Sequence, residues 1–227
     1  MKKYTLEDIK KLPKLLKTLE LFSGTKSFSK VMAKHGDETF TVDNSPKLSP
    51  DLVADIENLR IDQLPYKPDI IWASPPCTGF SVASIGHHWT GGKGAYIPKT
   101  DIAKTGIELV LSTLELIKEL KPKYWFIENP RGVLRKMSFM QELHRKTVTY
   151  CQYGDTRMKP TDIWTNLESW TPKPMCHNGD PCHISAPRGS KTGTQGLKGA
   201  VERGVIPPLL FEEIRHQLLE ELKKNGI

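Results

Sequence analysis

Residues 69–81 read DIIWASPPCTGFS. A short, almost unbroken apolar run that ends in a turn marks a strand buried on both faces. Pro75 and Pro76 fix their own φ angles and restrict the residues before them, so the strand stops near Ser74 and Cys77 is held just past its end. The same rhythm extends outward in both directions. Upstream lie LELF (19–22), a helical stretch at 26–35 and ETFTV (38–42). Downstream, a helix over 102–120 repeats Ile107, Val110, Leu111, Leu114 and Ile117 at three- and four-residue steps, and the strand YWFI (124–127) follows. Strand, helix and strand in this order predict an α/β fold with a mostly parallel central sheet, helices on both faces and right-handed crossovers. After Thr161 the pattern changes, and 166–200 is rich in Pro, Gly, Ser and Lys without a period, as in a small irregular insertion. The chain closes on a helix that starts near Pro207 and carries Leu210, Ile214 and Leu218 on one face.

Length and composition narrow the function. At 227 residues the chain can bury a substantial core. Its 37% hydrophobic content includes no run near the roughly 20 apolar residues of a membrane span. The first 17 residues, MKKYTLEDIKKLPKLLK, have a basic start but no apolar core or small-residue cleavage site, so a surface-packed helix and a cytoplasmic protein are expected. A net charge of +7 suits a polyanionic partner. The four cysteines are too few and scattered for a disulfide scaffold, and are expected as thiols.

In open parallel sheets, ligands bind beyond the carboxyl ends of the strands. Three such ends stand out here. One delivers Cys77, and YWFI runs directly into Glu128-Asn129-Pro130. As neighbours about 4.8 Å apart, these two strands let Cys77 and Glu128 face one small ring, an arrangement suited to covalent catalysis with acid assistance. The third end, Leu21-Phe22-Ser23-Gly24-Thr25, breaks into a turn and a helix, where backbone N–H groups receive the polar part of a nucleotide-like cofactor. Asp43, which ends the next strand, is placed to accept from ribose hydroxyls, and Asp55-Ile56 to offer a carboxylate and an apolar wall to an adenine ring.

Together these segments resemble the cytosine-5 DNA methyltransferases. LELFSGTKSF (19–28) is similar to that family's cofactor-binding motif, SPPCTGFS (74–81) to its Pro-Cys nucleophile motif and WFIENPRGVL (125–134) to its Glu-Asn motif. YGDTRMK (153–159) resembles a later motif, with Arg157 and Lys159 standing where the family has arginines, and VIPPLL (205–210) resembles the closing motif. The short length, SIGHHW (84–89) and KPTDIWTN (159–166) look most like the small phage-encoded branch, with its links to restriction-modification.

The resemblance implies a Rossmann-like, S-adenosylmethionine-dependent methyltransferase fold. It implies a catalytic domain at 1–165, a small target-recognition segment at 166–202 and a returning helix at 203–227. Cys77, Glu128, Arg157 and Lys159 would be catalytic, and Phe22, Ser23, Gly24, Thr25, Asp43, Asp55, Ile56 and Pro75 would hold the cofactor. The implied partner is double-stranded DNA with its target cytosine flipped out, bound by a monomer through Ser81, His87, His88, Lys93, Arg131, Arg188 and Lys191. An RNA (tRNA) cytosine-5 methyltransferase and a catalytically idle DNA-binding protein of the same fold are the alternatives.

One cluster lies outside these motifs. Cys176, His177, Cys182 and His183 crowd into eight residues, but their spacing matches no standard zinc pattern, so a polar loop without metal is expected. Zinc on Cys176, Cys182 and His183, completed by Cys151 or a water, is the alternative.

Overall fold

A computed structural model of the chain describes residues 15–92, 94–185 and 199–224. In chain order the elements begin with β1 (Lys17–Leu21), α1 (Ser27–Lys34), β2 (Glu38–Asp43), β3 (Leu52–Val53) and β4 (Ile70–Ala73). A short helix α2 (Ile85–His88) and a two-stranded ribbon, β5 (Trp89–Thr90) and β6 (Ile97–Pro98), lead into the long α3 (Asp101–Leu120). Then come β7 (Tyr124–Pro130), α4 (Ser138–Gln141), β8 (Arg145–Thr149), β9 (Pro160–Thr165), α5 (Ala200–Gly204) and α6 (Pro208–Lys224).

Seven strands form one sheet in the order β3-β2-β1-β4-β7-β9-β8. The pairs among β3, β2, β1, β4 and β7 are parallel, as the repeated strand and helix units require. The antiparallel β9 and β8 extend the far edge, which the sequence reading did not anticipate. RKTVT in β8 is a charged edge strand with little apolar alternation, and such strands leave a weak signal. The order of connection reverses between β1 and β4, the switch point beside which α/β sheets bind ligands.

Alternation along β4 sends its side chains to two separate cores. Ile70 and Trp72 face one layer with α1 and α6, where Trp72 meets Phe211 edge-on at 4.8 Å and stacks on Phe28 at 5.7 Å. Each such ring contributes on the order of 2–3 kcal/mol of transfer free energy. A buried ion pair pins α6 to this face, with Arg215 Nε donating to Asp37 Oδ2 at 2.7 Å. Ile71 and Ala73 face the other layer, built on α3.

Thr100 caps α3, its hydroxyl accepting from Ala103 N, and Lys121 closes it in a left-handed conformation. The buried stripe of α3 is Ala103, Gly106, Val110, Thr113, Leu116, Ile117 and Leu120. Leu111, expected on that stripe, is exposed. Ile107 and Leu114 pack partly buried against the core, and Phe80 packs onto Gly106, where an added Cβ would stand 3.2 Å from the ring. No described helix is long and apolar enough to cross a membrane.

Candidate active site

The carboxyl ends of β1, β4 and β7 open onto a cavity of about 520 Å³, within the range of small-ligand pockets. Phe22, Ser23, Gly24 and Thr25 form its first wall. Phe22 is in the left-handed region (φ 54), which turns the chain sharply off β1. Ser23 Oγ is buried and has no hydrogen-bond partner among the described residues, so a polar ligand atom would complete it.

Glu20 forms the floor of this wall, and the sequence reading missed it. Its carboxyl accepts from Phe28 N at 3.3 Å and Ser29 N at 2.9 Å, at the start of α1. Burial pushes it up to about 7, against the pull of these hydrogen bonds. A glutamate inside the strand LELF is the one signal that marked it: a charged residue in a buried strand requires partners.

The second wall is Ser74 to Thr78, and the third holds Glu128, Pro130 and Lys159. Ala73 pairs with Ile127, so Cys77 and Glu128 leave adjacent parallel strands at the same end, as their spacing predicts. Both line the cavity. The two loops are locked together at several points. Asn129 Nδ2 donates to Pro75 O at 2.9 Å, Val133 N donates to Phe80 O at 2.8 Å, and Ser81 bridges Gly132.

Tyr150, fully buried, donates its hydroxyl to Glu128 Oε1 at 3.0 Å. Burial, reinforced by the carboxylate, pushes the phenol well above its usual range, so it stays a neutral donor. A donor fixed on Oε1 orients the carboxyl and leaves Oε2 for other work. Tyr150→Phe is expected to lower kcat about 10-fold, since one hydrogen bond to an acidic group is lost. Steady-state kinetics check this, and an unchanged kcat would remove Tyr150 from the site.

Cys77 opens to the cavity, yet burial pushes its thiol up and the Glu128 carboxylate adds to the shift. Lys159 and Arg203 oppose it. Lys159 donates to Arg203 O at 2.8 Å, with its ammonium 4.8 Å from the Tyr150 ring centroid. Desolvation lowers the Lys159 ammonium, while Glu128 and Cys77 favour its charged form. Val201, Arg203, Gly204 and Ile206 close the cavity from α5 and the segment after it.

Several expected site residues are used differently. Arg157 does not line the cavity. Its guanidinium grips the Asp155 carboxylate and donates to the carbonyls of Glu202, Arg203 and Val205, so it holds the closing segment in place. Asp43, half-exposed, does not line the cavity either; it accepts from Gly24 N at 3.0 Å and Ser45 N at 2.9 Å, and so shapes the first wall from behind. Asp55 is exposed and accepts from Asn44, and Ile56 is buried in the core; neither reaches the cavity. His88 is buried, with Nδ1 2.8 Å from Thr100 Oγ1, which ties α2 to the start of α3 and removes it from any DNA-facing surface. Ser81 lines the cavity, while His87 and Arg131 are exposed. Lys93, Arg188 and Lys191 lie outside the described residues.

An open, mostly parallel α/β sheet with a cavity at the carboxyl ends of its strands, beside the switch point, is a Rossmann-like, doubly wound domain, and here that cavity is lined by a thiol and a carboxyl. Residues 16–147 match the family described as C-5 cytosine-specific DNA methylase. A protein of Frog virus 3 (isolate Goorha) named "Probable DNA (cytosine-5)-methyltransferase" is 30% identical over 222 residues, covering 88% of this chain and 98% of the viral one. The chain belongs to the C-5 cytosine-specific DNA methylase family, and with it to the DNA (cytosine-5)-methyltransferase class of enzymes.

Among solved structures, the S. pombe Dnmt2 methyltransferase is 15% identical with a TM-score of 0.45, over 67% of this chain and 49% of that one. The Entamoeba histolytica methyltransferase EhMeth is 16% identical with a TM-score of 0.48, over 70% and 54%. The chain spans about half the length of each of these two proteins. The methyl donor of the enzyme class is S-adenosylmethionine. The orphaned Ser23 hydroxyl, the Phe22–Thr25 turn and the acidic floor at Glu20 fit a cationic, nucleoside-bearing ligand.

Proposed function

We propose that the chain methylates carbon 5 of cytosine in double-stranded DNA through a covalent bond from Cys77. The observation that carries this reading is the convergence of Cys77, Glu128 and Lys159 on one cavity that also includes the Phe22–Thr25 turn. Carbon 5 of cytosine is unreactive until a nucleophile adds to carbon 6. Cys77 gives up its proton to solvent water, its thiolate adds to carbon 6, and Glu128, taking part as the protonated acid, donates its proton to ring nitrogen 3, where charge collects. Bound S-adenosylmethionine supplies an electrophilic methyl group. Carbon 5 takes up the methyl group, and loss of its proton to a base, with return of the nitrogen 3 proton to Glu128, then expels the Cys77 thiolate and restores the aromatic ring. Lys159 faces both the thiolate and the carboxylate, and its cation offsets the negative charge that two such groups create together.

A base stacked in a duplex cannot reach this cavity, so the target is flipped out at a cost of a few kcal/mol. Ser81 at the cavity rim and the exposed His87 and Arg131 support contact with the opened duplex, and residues 166–202 serve as the recognition segment. The protein acts as a monomer in the cytoplasm, where reducing conditions keep Cys77 a thiol, and the viral relative supports a role in modifying a phage or viral genome.

Incubation with methyl-tritiated S-adenosylmethionine tests the reading. Label is expected in duplex DNA as 5-methylcytosine, with bisulfite sequencing giving its position. Label found in tRNA alone, or on another base, would overturn it.

A further inference from the structure

We propose that Cys151, Cys176, Cys182 and His183 bind one zinc ion in a closed tetrahedral site that fastens the segment at 166–185 to the wall of the active site. Three of the four side chains come from one short segment and Cys151 from 25 residues earlier, and their ligand atoms all lie within 4.8 Å of one another. Cys176 Sγ is 3.0 Å from Cys151 Sγ and 3.7 Å from His183 Nδ1. Cys182 Sγ is 3.6 Å from Cys151 Sγ and 3.8 Å from His183 Nδ1. A zinc ion with Zn–S bonds of about 2.3 Å requires S···S edges of about 3.8 Å, so the cluster is near the size of a coordination shell. All four cysteines of the chain are free thiols.

Three soft sulfur ligands and an imidazole, with no carboxylate among them, select zinc over magnesium or calcium. Two polar contacts behave as an outer shell: Cys176 N donates to Thr149 Oγ1 at 3.0 Å, and Gln152 Nε2 points at Cys182 Sγ at 3.8 Å. Cys182 is exposed, which gives the metal a route in. The sequence offered this ligand set only as the alternative to a metal-free loop, because the spacing matches no standard zinc pattern and Cys151 lies 25 residues before the next ligand.

The placement explains what the ion does. Residues 166–185 contain no helix or strand, and only Leu167, Trp170 and Cys176 of them are buried. A segment with so small a core needs a cross-link to hold one conformation. Cys151 directly follows Tyr150, the residue that positions Glu128, and Ile184 N donates to Thr156 O at 2.9 Å just beyond the last ligand. Metal binding thus anchors the base of the segment proposed for DNA recognition to the turn that supports the catalytic carboxyl.

Elemental analysis of the full chain, purified reduced from zinc-supplemented cells, is expected to find about one zinc per chain. Cobalt substitution is expected to give tetrahedral d–d bands and thiolate-to-cobalt charge-transfer bands. Cys182→Ala and His183→Ala are each expected to reduce retained zinc at least about 10-fold, whereas Cys77→Ala keeps it. Chelation is expected to speed proteolysis within 166–185. Zinc below about 0.1 per chain, cobalt spectra without these bands, or full zinc retention in both cluster variants would overturn the proposal. The metal readouts do not depend on methyl transfer, so they stand or fall apart from the proposed reaction, and the cobalt spectrum of the unaltered chain keeps the test sound if a variant fails to fold.

Discussion

Alanine at Cys77 is expected to lower methyl transfer by at least about 10³-fold, because Cys77 carries the one thiol among the described residues lining the cavity. The side chain opens to the cavity, so its loss is expected to change folding stability by less than about 0.5 kcal/mol and to leave donor binding intact. Activity would fall through kcat, with the donor KM unchanged. A duplex containing 5-fluorocytosine gives an independent readout. Fluorine blocks the final removal of the carbon 5 substituent, so the sulfur–carbon bond persists and protein and DNA migrate together after denaturation. This species is expected with Cys77 present and absent in Cys77→Ala. Equal methylation by the two proteins would refute covalent catalysis from this position.

The second large effect is expected at a residue with no chemistry of its own. A Cβ on Gly132 would stand 2.1 Å from the carbonyl oxygen of Phe80 and 3.1 Å from its carbon. Both atoms are backbone, so no side chain can yield, and the chain leaving β7 must separate from the chain leaving Cys77. That contact includes the Val133 N to Phe80 O hydrogen bond and the bridge between Ser81 and Gly132. Displacements of about 1 Å at a reacting pair cost on the order of 10²-fold in rate. Gly132→Ala is therefore expected to lower kcat about 10²-fold and to destabilise the fold by about 2–3 kcal/mol. Gly86→Ala, whose Cβ meets nothing within 4 Å, serves as the stability control. Denaturant melts and single-turnover kinetics separate the two effects. An unchanged kcat in Gly132→Ala would show that the loops are not coupled in this way.

Much of this site was legible in the sequence for a local reason. Strand ends announce themselves through apolar runs that stop at Pro or Gly, and a parallel pair joined by one helix places its carboxyl ends side by side. Cys77, Glu128 and the turn at Phe22 to Thr25 were found this way. Residues whose meaning depends on rotamer and partner were not. Asp43 stands where a ribose acid would, but two backbone N–H groups claim its carboxylate. Arg157 sits in the expected motif, but Asp155 two residues earlier and three carbonyls of the closing segment draw it away from the cavity. Tyr150 and Glu20 carried little advance signal, since one is an aromatic at the end of a weak strand and the other a single charge in an apolar one.

The order of strands and helices, the covered parallel sheet and the placement of a thiol and a carboxyl at neighbouring strand ends follow from the sequence itself, because periodicity and turn chemistry act over a few residues. The rest was decided by tertiary structure: the antiparallel edge made by β9 and β8, Tyr150 beneath Glu128, the contact between Gly132 and Phe80, and the meeting of Cys151 with Cys176, Cys182 and His183. These contacts join residues far apart in the chain, and packing selects their partners through distances and directions that no local pattern encodes.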